Sequence, residues 1–179
     1  MRKIPLLLGL LAIAASSAAF AATINVPWIR QKAYNECGRA ALASLAARKG
    51  GSAERHYARL PKPSSPRGYS VSDMRRYGPR VGVSLSVTAP AGIVIAGECS
   101  PRPPVTAHMR RLAAIVSGGT PVVVPVSVWF GAGHYYVLVG ADRNGFTALD
   151  PASPGLKRFS SSELAKSMCD YGYLALVAR

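Results

Sequence analysis

Three apolar runs rich in β-branched and aromatic residues follow one another almost without interruption, over residues 122–130, 134–141 and 146–150. The separators are Gly131-Ala132-Gly133 and Asp142-Arg143-Asn144-Gly145, and Asn-Gly is a strong signal for a tight hairpin turn. The second half of the chain is therefore expected to form a mostly antiparallel sheet, closed by a strand over residues 173–177. Ahead of that strand, Ser160 and Glu163 stand at capping-box spacing and open a helix.

The first half reads differently. Residues 25–29 suggest a short strand leading in. A helix follows over residues 40–48, with Leu42, Leu45 and Ala41 on its buried face, Glu36 or Asn35 as its cap and Gly50-Gly51 as its stop. Residues 52–70 are polar, basic and interrupted by Pro61, Pro63 and Pro66, the pattern of a surface loop with room for one helical turn around Tyr57. Residues 72–77 suggest a short helix ended by Gly78-Pro79, and residues 81–87 alternate as a half-exposed strand does. Residues 90–104 form a second irregular loop holding Cys99. Residues 106–117 then make a helix with Met109, Leu112, Ile115 and Val116 on one side and Arg110 and Arg111 on the other. A helix-led half followed by an antiparallel sheet defines an α+β domain.

The amino terminus stands apart from this domain. Met1-Arg2-Lys3 is basic, residues 4–15 are apolar, and Ala19-Phe20-Ala21 is an A-x-A cleavage site, together a secretory signal peptide over residues 1–21. No cysteine follows the apolar run, which argues against a lipid anchor. Removing 21 of the 179 residues leaves 158 (residues 22–179), a normal size for one domain, and no later run is long enough to span a bilayer. The expected location is outside the cytoplasm, periplasmic or secreted. Loss of Arg2 and Lys3 reduces the net charge from +14 to +12, a surface that favours anionic partners such as an envelope polymer or lipid head groups. The basic residues are scattered and carry no nucleic-acid motif, so nucleic acid is rejected as the main partner.

Three cysteines in an exported chain imply one pair and one free thiol. Cys37 is the natural odd one out, which leaves Cys99 and Cys169 to pair; their sequence positions neither require nor forbid contact. No paired Cys/His spacing points to a metal, and no cofactor is expected. His56 and His108 fall among arginines and read as solvated surface.

Cys37 sits where a polar loop turns into an Ala/Leu-rich helix, in Gln31-Lys32-Ala33-Tyr34-Asn35-Glu36-Cys37-Gly38. A thiol attacks carbonyl carbon as thiolate, and both the first turn of a helix and an imidazolium partner favour that form. His134 opens an apolar strand and Asp150 closes the next, so the two side chains can meet across the hairpin. In that arrangement His134 is base and then acid, and Asp150 orients its ring. Gln31 has the amide needed to donate to a developing oxyanion beside the backbone N–H of Cys37. Gly38 leaves room for a substrate backbone. A small cysteine on an apolar helix is more often core filler, but filler does not account for Gln31, Glu36 and Gly38 around it.

The chain resembles the papain-like cysteine peptidases that process double-glycine leaders in bacteriocin export, and their stand-alone relatives. The resemblance is carried by Val26-Pro27, Gln31 with Cys37-Gly38-x-Ala40-Ala41-Leu42, residues 70–82, Gly119-Thr120-Pro121-Val122-Val123-Val124, Gly133-His134-Tyr135-Tyr136-Val137-Leu138-Val139-Gly140, and Asp150-Pro151 with Gly155. It implies a papain-like fold, with the Cys37 helix packed on a sheet carrying His134 and Asp150. It also implies Cys37 as nucleophile, His134 as base, Asp150 as orienting acid, Gln31 in the oxyanion hole, and cleavage after a small residue such as Gly-Gly. The leader-processing members are usually fused to an ATP-driven exporter, whereas this chain carries a signal peptide and no transporter. Three readings stand: an exported peptidase acting on a peptide or small protein, a cell-wall amidase or endopeptidase aided by cationic charge, and a non-catalytic peptide-binding or assembly factor on the same frame.

Overall fold

In a computed structural model, residues 23–91, 99, 103–128 and 132–179 are described. Their order is α1 (Cys37–Arg48), α2 (Ala53–Arg59), α3 (Val71–Tyr77), a 3-10 turn (Gly78–Val81), β1 (Leu85–Thr88), α4 (Pro103–Ser117), β2 (Val122–Ser127), β3 (Gly133–Asp142), β4 (Gly145–Asp150), β5 (Ser153–Phe159), α5 (Ser161–Met168), a 3-10 turn (Cys169–Tyr171) and β6 (Ala175–Ala178). The expected signal peptide lies outside the described residues, as does most of the loop at 90–104. No described helix is long and apolar enough to cross a membrane.

All six strands pair antiparallel in the order β1-β6-β2-β3-β4-β5, and the domain is α+β as its sequence pattern requires. Val123 opposes Val137, and both pack with Val139, Leu149, Leu176 and the apolar side of α1. One residue along, Val122 opposes Leu138 and Val124 opposes Tyr136, and this set packs with Met109 and Leu112 of α4 and Leu164 and Met168 of α5. The sheet is thus covered on both faces, which is why β2 over Val122–Val126 and β3 over Tyr135–Ala141 read as apolar runs and not as alternating ones. The α5 capping box is formed as expected, with Ser160 and Glu163 each satisfying the other's backbone N–H.

Several expectations are corrected. Residues 25–29 form no strand; the segment is held by single hydrogen bonds, including Ile24 N–H to the Val139 carbonyl at 2.6 Å. The loop at 52–70 contains the two-turn helix α2, capped by Ser52 and anchored by the fully buried Tyr57. The alternating segment 81–87 is a strand only from Leu85 onward, because the Val83 N–H bonds back to the Gly78 carbonyl. Strand β5 was not expected. It is exposed and holds Pro154 and Gly155, so no period of two is visible, and it occupies the sheet edge where such residues are tolerated.

His108 is buried, not solvated. On α4 it lies in the stripe Val105, His108, Met109, Leu112, Val116, and burial lowers its basicity despite a backbone hydrogen bond with Tyr173. His56 bonds the Gly50 carbonyl through Nε2 at 2.8 Å.

Cys99 and Cys169 form a disulfide with a Cα–Cα separation of 5.5 Å across 70 residues of sequence, and Cys37 is free and buried. In the loop-entropy description a bridge of that span contributes ~4 kcal/mol. Replacing both cysteines by serine should lower the unfolding free energy by about that amount in denaturant titrations. An unchanged midpoint would contradict a stabilising role for the bridge.

Candidate active site

Cys37 is the first residue of α1, and the reason lies in the residue before it. Glu36 occupies the N-cap position but makes no side-chain cap. Its carboxylate instead accepts from Arg39 at 2.7 Å and from the Tyr57 hydroxyl at 2.5 Å, and the Arg39 guanidinium lies 4.3 Å from the centre of the Tyr57 ring. The expected cap is therefore corrected: Glu36 is spent on a buried network tying α1 to α2. Burial alone would raise the Glu36 carboxyl, but Tyr57 and Arg39 outweigh it and hold the group below its usual value. Tyr57 is pushed up to about 12 by burial and by Glu36, and its oxygen also accepts the Lys32 backbone N–H at 3.0 Å. The loop carrying Gln31 and the turn carrying Cys37 are thereby fixed to one hydroxyl.

The sheet brings the other two groups. His134 stands at the start of β3 and Asp150 at the end of β4, which in an antiparallel pair is the same end. His134 Nε2–H donates to Asp150 Oδ1 at 2.8 Å, leaving Nδ1 for Cys37, whose thiol also favours the charged ring. Cys37 is 4 %, His134 9 % and Asp150 3 % exposed, so the three groups meet in an environment of low polarity. Burial would lower the imidazole's basicity, but Asp150 and Cys37 prevail and push it up to about 9.

Burial would raise Asp150, yet the contacts from His134 and Lys157 and the Ala152 N–H hold it far below the usual carboxylate range. Oδ1 accepts the Ala152 N–H at 2.8 Å, and Oδ2 accepts from Ser153 Oγ at 3.1 Å and pairs with the Lys157 ammonium at 2.5 Å. The Asp150 carbonyl takes the Trp28 indole N–H at 2.8 Å. Trp28 and Lys157 were not singled out by sequence; neither stands in a recognisable spacing, and Lys157 belongs to the unexpected strand.

Gln31 lies in the loop before Cys37 with both amide N–H groups committed, to the Ala33 and Tyr34 carbonyls at 3.0 Å each. Its Oε1 is buried without a partner. A groove of about 540 Å³ opens beside it, lined by Trp28, Ile29, Arg30, Gln31, Lys32 and Glu54.

Gly38 does not make room for a substrate. A Cβ there would lie 2.9 Å from Met74 Sδ, 3.0 Å from Tyr69 Cβ and 3.2 Å from Tyr135 Cδ2, so the space is filled by the protein's own packing. At Gly133, next to His134, a Cβ would fall 2.2 Å from the Tyr171 hydroxyl, so the Tyr171 side chain closes over this position. Among the described residues the group nearest to a metal-ligand cluster is Cys99, Cys169 and Asp170, and the disulfide consumes both sulfurs.

No protein-family model matches the sequence, and no curated protein does. Solved structures do resemble it. The peptidase domain of Streptococcus ComA, a bifunctional ABC transporter of a quorum-sensing pathway, aligns at 19 % identity over 86 % of this chain and 98 % of that one, with a TM-score of 0.64. A C39-like peptidase from Bacillus anthracis aligns at 15 % identity over 88 % and 96 %, with a TM-score of 0.60. A double-glycine-motif protease from an AMS/PCAT transporter, solved with its leader peptide, aligns at 19 % identity over 87 % and 92 %, with a TM-score of 0.59. At these identities the likeness establishes the fold: the chain shares that of double-glycine peptidase domains.

The His134 geometry sets a pH dependence. Its basicity is raised in the folded state from an ordinary value of 6.5 to about 9, so the stabilisation is complete below 6.5 and is lost as pH rises through 9. The extra stability of wild type over His134→Gln should therefore shrink by ~3 kcal/mol between pH 6 and pH 10 in denaturant titrations. A difference independent of pH would contradict the ion pair.

Proposed function

We propose that this chain is an exported cysteine peptidase that cleaves a peptide or small protein through Cys37, His134 and Asp150. The observation that carries the reading is the placement of one imidazole between a free thiol and a buried carboxylate. Cys37 Sγ attacks the scissile carbonyl carbon while His134 holds the proton on Nδ1. The developing oxyanion takes the Cys37 backbone N–H, which no side chain caps, and Gln31 if one of its two carbonyl contacts is released as substrate enters. His134 then gives its proton to the departing amine, and the thioester is hydrolysed by a water that His134 deprotonates. Asp150 keeps the ring oriented and supports its charge throughout.

The shared fold with a protease solved on a leader peptide favours a peptide substrate, with a small residue such as Gly-Gly before the scissile bond. Export is supported by the signal-peptide pattern over residues 1–21 and by the Cys99–Cys169 disulfide, which persists in oxidising compartments. Residues 22–179 would then be the working peptidase domain. The net charge of +12 left after loss of Arg2 and Lys3 from the +14 of the whole chain favours a second reading, hydrolysis within an anionic cell-wall polymer, because a cationic surface concentrates the enzyme there.

The test is hydrolysis of a peptide panel containing Gly-Gly, Gly-Ala and Ala-Ala junctions, in parallel with purified peptidoglycan. Cleavage after a small residue that is abolished in Cys37→Ala and reduced roughly 10²–10⁴-fold in His134→Ala is the expected result. Release of peptidoglycan fragments with no peptide cleavage would replace it with the cell-wall reading. No turnover of either would leave a binding module on a peptidase frame.

A further inference from the structure

The carboxylate that orients His134 serves a second cation. Asp150 Oδ1 takes the imidazole N–H at 2.8 Å while Oδ2 pairs with Lys157 Nζ at 2.5 Å. Lys157 reaches it from the edge strand β5, where it opposes Ala148, two residues before Asp150 on the same face, and the β4–β5 register slips between Leu149 and Asp150. Asp150 itself comes to face Ser153. The ammonium also lies 5.5 Å from the centre of the Tyr136 ring, and that ring meets the His134 imidazole edge-on at 5.0 Å. Lys157 therefore approaches the imidazole by two routes, through the carboxylate and across a phenol. Lys157 keeps 43 % of its side chain in water, yet its ammonium is drawn onto a carboxylate whose side chain is only 4 % exposed.

We propose that Lys157 is a positioning residue of the reaction, an ammonium that shares the Asp150 carboxylate with His134 and so limits how tightly the imidazole holds its proton. The inference rests on the peptidase reading. A general acid must release its proton to the leaving amine, and an imidazolium bound to an undivided carboxylate releases it reluctantly. The titratable groups around the ring are Cys37 from α1, Asp150 from β4, Tyr136 on β3 itself and Lys157 from β5 through Asp150. Tyr171, at the turn before β6, packs on the neighbouring Gly133. Among the described residues around the ring Lys157 is the one cation besides the imidazolium, and Asp150 keeps it protonated above its ordinary range. Its neutralisation acts on His134 in one direction: the imidazole becomes more basic.

The experiment follows the His134 imidazole Cε1–H resonance by NMR over a pH series in the purified protein, assigned with His56→Gln and His108→Gln. Lys157→Met should raise the His134 midpoint by roughly half to one pH unit, the size expected for a partly screened charge at this range. Lys157→Gln should follow Met, and Lys157→Arg should restore the wild-type value. A midpoint in both neutral variants equal to or below that of wild type would overturn the proposal, as would an Arg variant that shifts as far as Met. The midpoint is read without a substrate. Failure of wild type to cut any peptide would sink the peptidase reading and leave the comparison intact, while cleavage with an unmoved midpoint would sink the role of Lys157 alone.

Discussion

A buried carboxylate must be compensated or it will not stay ionised, and Asp150 is compensated on every side. Its two side-chain oxygens take the His134 imidazole, the Ala152 N–H, the Ser153 hydroxyl and the Lys157 ammonium. Its carbonyl takes the Trp28 indole, and the adjoining Pro151 carbonyl takes the Gln31 N–H at 2.9 Å. One residue at the end of β4 thus gathers β3, β5 and the segment before α1. Any substitution that empties this position would leave several donors unsatisfied at once, and the imidazole would lose both its orientation and its raised basicity.

The thiol reaches the same place by a separate physical route. Helix α1 buries nearly its whole circumference, with Ala40, Ala41, Leu42 and Ala43 all fully buried, so its small residues let it lie close on the sheet beside Val123 and Val137. Its start is set by the Glu36, Arg39 and Tyr57 network and not by a cap, which leaves the first-turn N–H groups free of side-chain acceptors at the point where a substrate carbonyl would arrive. Gly38 lets the first turn sit against Tyr69, Met74 and Tyr135. The chemistry of the site is thus inseparable from the helix–sheet contact that closes the fold.

How much of this was legible in the sequence follows from how local each signal is. Strands β2 to β4, the α5 capping box and the helix after Cys37 are written in short-range periodicity and turn chemistry, and these elements stand in the structure within a few residues of their expected bounds. Strand β5 was not legible and helix α2 was legible only as one helical turn around Tyr57, because each is made of polar, proline-flanked residues and is held by a few long-range anchors such as Tyr57 and Lys157. His108 reads as surface for a different reason: its neighbours Arg110 and Arg111 are exposed, but a shift of two residues on a helix turns the side chain to the sheet. Cys37, His134 and Asp150 stood out as residue types at element ends, and Gln31 as an amide in the loop before the thiol. The partners Trp28, Lys157 and Arg39 did not, and Tyr57 was visible only as the centre of a turn, since their roles are defined by the contacts they make.

The central claim is that His134 and Cys37 work as a pair. The most direct measurement is the rate of alkylation of the purified protein by iodoacetamide over pH 5 to 10, with Cys37→Ala and His134→Ala as controls. The account predicts a single labelled site at Cys37, reacting rapidly where a free thiol is still mostly protonated and slowed by loss of His134. Labelling that is absent, or equally fast without His134, would contradict it.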